Sequence, residues 1–259
     1  MKKTILMFAA ATLMLATPSC KKGENDPALS LASRKARFAG TWQLTGYEAS
    51  STNTEPDGDS QTSTSTLSGD VITNTYSSYD ANSGSTVTTT STVTLTKAEY
   101  MIEKDGTWSS EFITTTVQTD SYTDFWGDEI TETTTTVATD ISTGNWSFLG
   151  KVKDSYKSKE RVVMNTLTSN YTSDVTLKED NTTQGTSNTS NSSSTSNDNY
   201  YSGEVASTYE IDQLKGKEMI WKTMEENSGS SSWTSGGTTT SSENDTYVSD
   251  ATWTFSIVK

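Results

Sequence analysis

The chain has 259 residues, a formal net charge of −14 at pH 7, no histidine and one cysteine. An acidic surface is unsuited to nucleic acid, whose phosphates bind Lys and Arg. Without histidine, Ser-His-Asp chemistry, Cys-His proteases and His-based zinc sites are excluded. Paired carboxylates or a Ser-Lys pair remain chemically possible, but neither has a motif here. We therefore expect no enzymatic activity, no cofactor and no bound metal.

Residues 1–19 have the layout of a secretory signal. Lys2 and Lys3 supply positive charge, Ile5 to Ala16 is an apolar run, and small residues lead to Cys20. The run is shorter than the ~20 residues that a membrane-spanning helix needs. A free thiol in an oxidising compartment invites pairing between chains, so a single cysteine at this place needs a reason.

Cys20 resembles the lipidated first residue of a bacterial lipoprotein. The resemblance implies that acyl chains on this cysteine anchor the protein to the outer membrane, with the periplasmic side favoured over the cell surface. Residues 20–38 are mostly polar and predict a tether, which leaves 39–259 as one β domain. A plain secreted protein with an incidental cysteine is the alternative interpretation.

A short helix is predicted from Leu29 to Phe38, with Ser30 as its N-cap and Gly40 after its end. The first strand follows in "GTWQLTGYE", where Trp42 begins an alternation of apolar and polar residues. Alternation with a period of two indicates a strand with one buried and one wet face.

The same alternation continues to the end of the chain. It predicts that Tyr201, Val205, Tyr209 and Ile211 share a face, and that the last strand, "TYVSDATWTFSIVK", is buried on one side. Glycines separate the runs and predict hairpin turns; these are Gly106, Gly127 and Gly216. The pattern predicts an all-β protein, an antiparallel meander that closes as a barrel or a sandwich.

Two kinds of segment contain few apolar residues and are expected to bury little surface. In "STVTTTSTVTLT" and "ITETTTTVATD", threonine occupies both faces, which predicts long Thr-rich hairpins that extend beyond the core. The stretches near 180–199 and 227–245 are rich in Ser, Thr, Asn and Gly, and we interpret them as low-complexity loops.

The opening of the first strand, Gly40 and Trp42 in a G-x-W motif, resembles that of the lipocalins. Further pieces look like the lipocalin-like lipoproteins of Bacteroidota; they lie at 20–27, 33–42, 144–151, 159–163 and 211–221. The resemblance implies a lipocalin-like barrel whose floor is closed by the tryptophan. It carries over no ligand-contacting residue.

One turn combines aromatic and acidic residues. "SYTDFWGDE" places Tyr122, Phe125 and Trp126 beside three carboxylates at a predicted hairpin tip. Exposed aromatic rings next to carboxylates suit contact with a carbohydrate or a protein, and the carboxylates could hold Ca²⁺. The alternative is a turn whose aromatic rings fold back onto the barrel.

Other chemistry-bearing residues have simpler interpretations. "EPDGDS" at 55–60 has the carboxylates of a calcium loop but not its length, so it predicts a Pro-Asp-Gly turn. Four tryptophans are expected in the core rather than in a cofactor site; these are Trp42, Trp146, Trp221 and Trp253.

Two functional hypotheses follow. The first is a lipid-anchored envelope protein whose barrel binds a small apolar or amphipathic ligand. The second is a structural or adhesive envelope protein that contacts a protein or glycan through its Thr-rich hairpins and aromatic tip. An enzyme acting on carbohydrate ranks third, since carboxylate pairs alone resemble ordinary surface charge.

Overall fold

The computed structural model describes residues 33–55, 57–150, 160–235 and 238–258, and within 224–246 it describes the backbone only. The signal at 1–19, Cys20 and the tether up to residue 32 lie outside the described residues. The lipid anchor therefore stays a prediction.

A one-turn helix, α1 (Arg34–Phe38), precedes the first strand. Its N-cap is Ser33, whose Oγ accepts the backbone N–H of Ala36 at 3.1 Å, so the prediction of Ser30 as the cap was wrong. Phe38 is fully buried and Arg34 nearly so. The tether therefore ends earlier than residue 38, because α1 is already part of the folded domain.

The described chain forms 11 antiparallel strands in one sheet. They are β1 (Gly40–Thr54), β2 (Ser60–Ser68), β3 (Val71–Asp80), β4 (Ser85–Ile102), β5 (Thr107–Thr123), β6 (Glu129–Phe148), β7 (Arg161–Asn181), β8 (Thr186–Asn199), β9 (Val205–Lys215), β10 (Glu218–Ser235) and β11 (Thr238–Ile257). The predicted all-β antiparallel meander is confirmed.

The sheet closes into a ring of hydrogen-bonded strands. β1 pairs with β4 over Gly40–Gln43, β6 pairs with β7 along most of its length, and β7 pairs with β9 from residue 161 to residue 166. The ring order is β1-β4-β5-β6-β7-β9-β10-β11 and back to β1. We call the end with Gly40, Ile102 and Ile257 the base, and the opposite end the mouth.

The remaining strands extend the mouth rather than the ring. β2 and β3 fill the space that opens between β1 and β4 beyond Glu48. β8 adds to β7 from residue 168 to residue 181, above the point where β9 leaves it. Residues 85–92 at the start of β4 are exposed on both faces, so this Thr-rich hairpin does extend beyond the core as predicted.

The core fills the base with aromatic rings. Phe38 from α1 lies 4.7 Å from Trp146 and 6.0 Å from Trp221, centroid to centroid. Trp221 also contacts Phe255 at 4.8 Å. Trp42, Trp146 and Trp221 are buried and Trp253 packs against the same cluster, which confirms the core prediction. We call this cluster the aromatic plug.

Three details correct the predictions from composition and periodicity. The stretch near 180–199 is largely strand β8, although every residue of β8 is exposed. The stretch near 227–245 is strand in β10 and β11 apart from residues 236 and 237, which lie outside the described part. Tyr201 lies before β9 and is 87% exposed, so it does not share the buried face of Tyr209 and Ile211.

Backbone pairing explains why these polar segments are ordered. Each residue of β8 has a partner on β7, from Thr186 to Asn199. Side chains add to the ladder, as where Thr176 Oγ1 donates to Asn191 Oδ1 at 2.9 Å. Cross-strand bonds of this kind stabilise a strand without apolar burial. The predicted turns at Gly106, Gly127 and Gly216 are confirmed by the hairpins β4–β5, β5–β6 and β9–β10.

Candidate ligand-binding site

The ring has a gap in its wall near the mouth. Pairing between β9 and β10 stops at Glu210 and Lys222. Beyond this point β9 stays paired with β7 as far as Val205, and β10 stays paired with β11. Within the described strands, the parts of β9 and β10 that lie nearer the mouth are therefore not hydrogen-bonded to each other. We call the resulting gap the side slot.

A cavity of about 900 Å³ occupies the side slot. Because the cavity passes through a gap between strands, consecutive residues from both faces of the wall line it. The lining residues are 206–210 of β9, Lys222 and Thr223 of β10, 250–253 of β11, and Arg161 of β7. The volume lies in the range of small-molecule sites. Positively and negatively charged side chains both line it, so the side slot does not favour a cationic ligand over an anionic one.

A second cavity, of about 170 Å³, lies inside the ring. We call it the inner cavity. Four aromatic side chains form part of its wall; these are Tyr100, Trp108, Phe112 and Tyr209. Ser207 and Tyr209 line both cavities, so the side slot and the inner cavity adjoin at these two residues.

Strand periodicity aims these side chains inward. Trp108 and Phe112 are separated by an even number of residues on β5, and Ser207 and Tyr209 likewise on β9, so each pair shares a face. Met164 on β7 shares the buried face with Val162. The sequence pattern found this face but could not show that the strands carrying it meet around one space.

The polar side of the inner cavity centres on Asp140 of β6. Ser142 Oγ donates to Asp140 Oδ1 at 3.0 Å, and Ser110, Thr166 and Ser207 add hydroxyl groups to the wall. In the described part of the chain, Asp140 has no ion-pair partner and its Oδ2 accepts no hydrogen bond from a protein donor.

The surroundings of the inner cavity raise the pKa values of two tyrosines, Tyr100 and Tyr209. Burial raises the pKa of the Tyr100 phenol well above its ordinary value, and the nearby Tyr209 and Asp140 add repulsion toward its ionised form. Burial likewise raises the pKa of Tyr209, with a hydrogen bond from Ser207 working against the rise. Both phenols therefore stay neutral at physiological pH and present O–H groups rather than charge.

The aromatic plug sets the depth of the site. Tyr209 stacks on Trp221 at 4.8 Å, and Tyr100 meets Trp221 edge-on at 5.3 Å, so the floor of the inner cavity is continuous with the plug. Trp221 is 1% exposed, and its Nε1–H has no acceptor among the described residues. The base half of the barrel is thus filled by its own side chains, and only the mouth half can admit a ligand.

Gly40 and Trp42 lie at the base, away from the cavities. Gly40 has a φ of 154°, and a Cβ there would lie 3.2 Å from Ile257 Cδ1. Trp42 donates its Nε1–H to the carbonyl of Phe38 at 2.9 Å. The motif therefore joins α1 to the floor of the barrel, which is a structural rather than a ligand-binding role.

The aromatic tip, Tyr122, Phe125 and Trp126, is exposed. Phe125 is 95% and Trp126 83% exposed, and their rings meet edge-to-face at 5.8 Å. Tyr122 is partly exposed and donates its Oη–H to Glu132 at 3.0 Å. The alternative in which these rings fold back onto the barrel is therefore wrong.

The neighbouring hairpin braces the tip. Asp124 Oδ1 accepts the backbone N–H groups of Trp126 and Asp128, each at 2.9 Å. Asp128 Oδ2 in turn accepts from Asn181 Nδ2 at 2.9 Å and from Gln184 Nε2 at 2.5 Å. These carboxylates therefore stabilise the turn that carries the two exposed rings.

The acidic turn at 55–60 brings Glu55, Asp57 and Asp59 together. Their ligand atoms lie within 4.8 Å of one another, and they are the only such group of three found among the described residues. Asp59 Oδ1 accepts the backbone N–H of Ala81 at 2.8 Å, and Gly58 N–H donates to the Glu55 carbonyl at 3.0 Å. The chain does turn at Asp57 and Gly58, while Pro56 of the predicted Pro-Asp-Gly turn lies outside the described residues. The carboxylates of Asp57 and Asp59 accept backbone N–H groups.

Comparison with known proteins gives no match: no family model, no curated protein and no solved structure is significantly similar to this chain. The described residues include no helix with the length and apolar character needed to cross a membrane.

Proposed function

We propose that this chain is a lipid-anchored protein of the cell envelope that binds a small amphipathic ligand at the mouth of its barrel. The observation that carries the proposal is the inner cavity, whose wall combines aromatic rings with Asp140 and hydroxyl groups and which adjoins the side slot at Ser207 and Tyr209. Sites for small molecules typically combine apolar walls with a few placed polar groups.

The wall chemistry favours an amphipathic ligand over a long fatty acid. The aromatic plug closes the base, so a long apolar chain has no deep barrel interior to enter. The inner cavity instead offers about 170 Å³ with hydroxyl and carboxylate groups. A compact head would occupy this space, and the rest of the molecule would lie in the larger side slot.

The anchor rests on the signal-like residues 1–19 and on Cys20. Acyl chains contribute ~0.8 kcal/mol per buried CH₂, and two or three chains give a lasting attachment. Anchoring would keep the binding site at the outer membrane, where amphipathic molecules accumulate.

Blocking the point where the two cavities meet tests the binding site. The neutral solvatochromic dye prodan should bind the purified protein with a saturable blue shift. Ser207→Trp places an indole between the cavities and should weaken dye binding about tenfold or more. Ser193→Trp, on exposed β8, is the matched control and should bind as the unaltered protein does. Equal dye binding by Ser207→Trp would place the site elsewhere, and no binding at all would refute the proposal.

A second candidate function is adhesion through the aromatic tip. It is favoured by the 95% and 83% exposure of Phe125 and Trp126 on a braced turn. Exposed aromatic pairs are enriched at contact surfaces with proteins and glycans.

The double variant Phe125→Ala, Trp126→Ala tests adhesion. It should lose partners that crosslink to the protein in the envelope while its melting temperature stays unchanged, because rings this exposed contribute little to folding. An unchanged set of crosslinked partners would refute the adhesion candidate.

A further inference from the structure

We infer that the inner cavity selects an organic cation, a ligand whose compact head is an alkylated ammonium group placed between aromatic rings and Asp140. This inference rests on the proposed binding site and adds the charge and class of its ligand.

The aromatic wall is the first element of the argument. Tyr100, Trp108 and Phe112 line the inner cavity from β4 and β5, and Tyr209 faces them from β9. The Tyr100 ring centroid lies 5.4 Å from that of Phe112 and 6.0 Å from that of Trp108, so the rings form a contiguous wall. The faces of such rings attract cations, most strongly where water is displaced.

The carboxylate is the second element. Asp140 lines the same cavity, and only its Oδ1 has a protein donor among the described residues, the hydroxyl of Ser142. A half-buried carboxylate attracts a cation more strongly than one fully exposed to water does. A cation in the cavity would pair with Asp140.

The distribution of charge is the third element. Among the described residues that line the inner cavity, Asp140 carries charge and none is Lys or Arg. The side slot differs, since Arg161 and Lys222 there offset Glu210 and Asp250. The whole chain carries a net charge of −14, which also steers cations toward the protein.

A neutral polyhydroxylated ligand such as a sugar is the main competitor. It would use the same rings for stacking and the same hydroxyl groups for hydrogen bonds. It would, however, leave the Asp140 carboxylate with its charge uncompensated. The two classes therefore differ in how strongly binding depends on that charge.

Calorimetric titration of the purified protein with three probes distinguishes these classes. Tetramethylammonium should bind at least about tenfold more tightly than tert-butyl alcohol, its neutral counterpart of similar shape, and more tightly than glucose. Asp140→Asn keeps the side-chain shape and should weaken tetramethylammonium binding about tenfold or more. Asp174→Asn, an exposed position on β7, removes the same charge outside the cavity and should leave binding unchanged.

The remaining outcomes are equally definite. Equal binding of tetramethylammonium and tert-butyl alcohol, tighter binding of glucose, or an Asp140→Asn variant that binds normally would overturn the cation inference. The prodan experiment with Ser207→Trp would still decide the proposed function on its own. If prodan binds and tetramethylammonium does not, the site exists and its ligand is not a cation. If neither binds, both proposals fail.

Discussion

The indole N–H of Trp42 donates a hydrogen bond to the backbone carbonyl of Phe38 at 2.9 Å, and both residues are fully buried. This bond satisfies a carbonyl at the end of α1 and fixes the helix across the base of the barrel. It connects the G-x-W motif of the first strand to the plug that supports the cavity floor.

Replacing this tryptophan tests its contribution to the fold. Trp42→Phe removes the bond and leaves a small void, so the free energy of unfolding should fall by about 2–4 kcal/mol in denaturant titrations. Trp126→Phe, at the exposed tip, should change it by less than about 0.5 kcal/mol. Equal stability of both variants would show that the bond to Phe38 does not hold the base.

Gly144 is a second position where the backbone leaves no room. A Cβ there would overlap the carbonyl oxygen of Asn165 and lie 2.8 Å from Trp108 Nε1. That same indole nitrogen donates to the carbonyls of Asn145 and Asn165 at 3.1 and 3.2 Å. The glycine therefore allows β6 and β7 to position one wall of the inner cavity.

Gly144→Ala should lower the free energy of unfolding by about 3 kcal/mol or more and weaken ligand binding with it. Gly150→Ala is the matched control, because a Cβ at Gly150 meets nothing within 4 Å. If the Gly144→Ala protein has the same melting temperature as the unaltered chain, Gly144 does not pack against the Asn165 carbonyl in this β6–β7 register.

The raised tyrosine pKa values make stability fall at high pH. Burial raises the pKa of Tyr100, Tyr209 and Tyr47 above 10.0. The unfolded chain then releases these protons first, so their contribution is complete below pH 10 and is lost as pH rises through the raised values. Tyr100 and Tyr209, which are mostly buried, each lower the free energy of unfolding by up to about 1.4 kcal/mol per pH unit in that window, and the half-exposed Tyr47 contributes less.

Denaturant titrations at a series of pH values measure this effect. Tyr100→Phe removes the largest single contribution, so its stability should decline less steeply above pH 10 than that of the unaltered chain. Identical slopes for the two proteins would contradict the burial of the Tyr100 hydroxyl.

The anchor prediction concerns Cys20. If lipidation is the reason for the single cysteine, Cys20→Ser should release the protein from host membranes or leave it as an uncleaved precursor. Folding should be unaffected, because the polar sequence after Cys20 predicts a tether with little apolar surface to bury. Fractionation with size analysis distinguishes these outcomes, and a variant of mature size that still sediments with the outer membrane would show that a partner supplies the attachment.

Alternation in the sequence predicted the strands because most of them bury one face. It could not predict β8, whose residues from Thr186 to Asn199 are all exposed, since backbone pairing with β7 orders that strand instead of burial. It predicted a short helix ending at Phe38 but assigned it to the tether, because a single helical turn has too few residues to show a buried face with a period of 3.6.

The candidate site was less predictable than the fold. Asp140 ends the run "ITETTTTVATD", which the pattern indicated as an exposed hairpin. Its place in the inner cavity depends on β6 meeting β5 and β7 in register, with Phe112 and Tyr171 as its cross-strand partners. Such long-range pairings have no local signal in the sequence. The side slot depends likewise on where β9 and β10 stop pairing.

The indole N–H resonances of the seven tryptophans offer the most direct measurement of where a ligand binds. Trp108 lines the inner cavity, Trp253 lines the side slot, Trp42 lies in the base, and Trp126 is exposed at the tip. On titration with prodan followed by NMR, we expect the resonances of Trp108 and Trp253 to shift in a saturable way while those of Trp42 and Trp126 stay in place. A shift confined to Trp126, or no saturable shift at Trp108, would contradict a binding site at the barrel mouth.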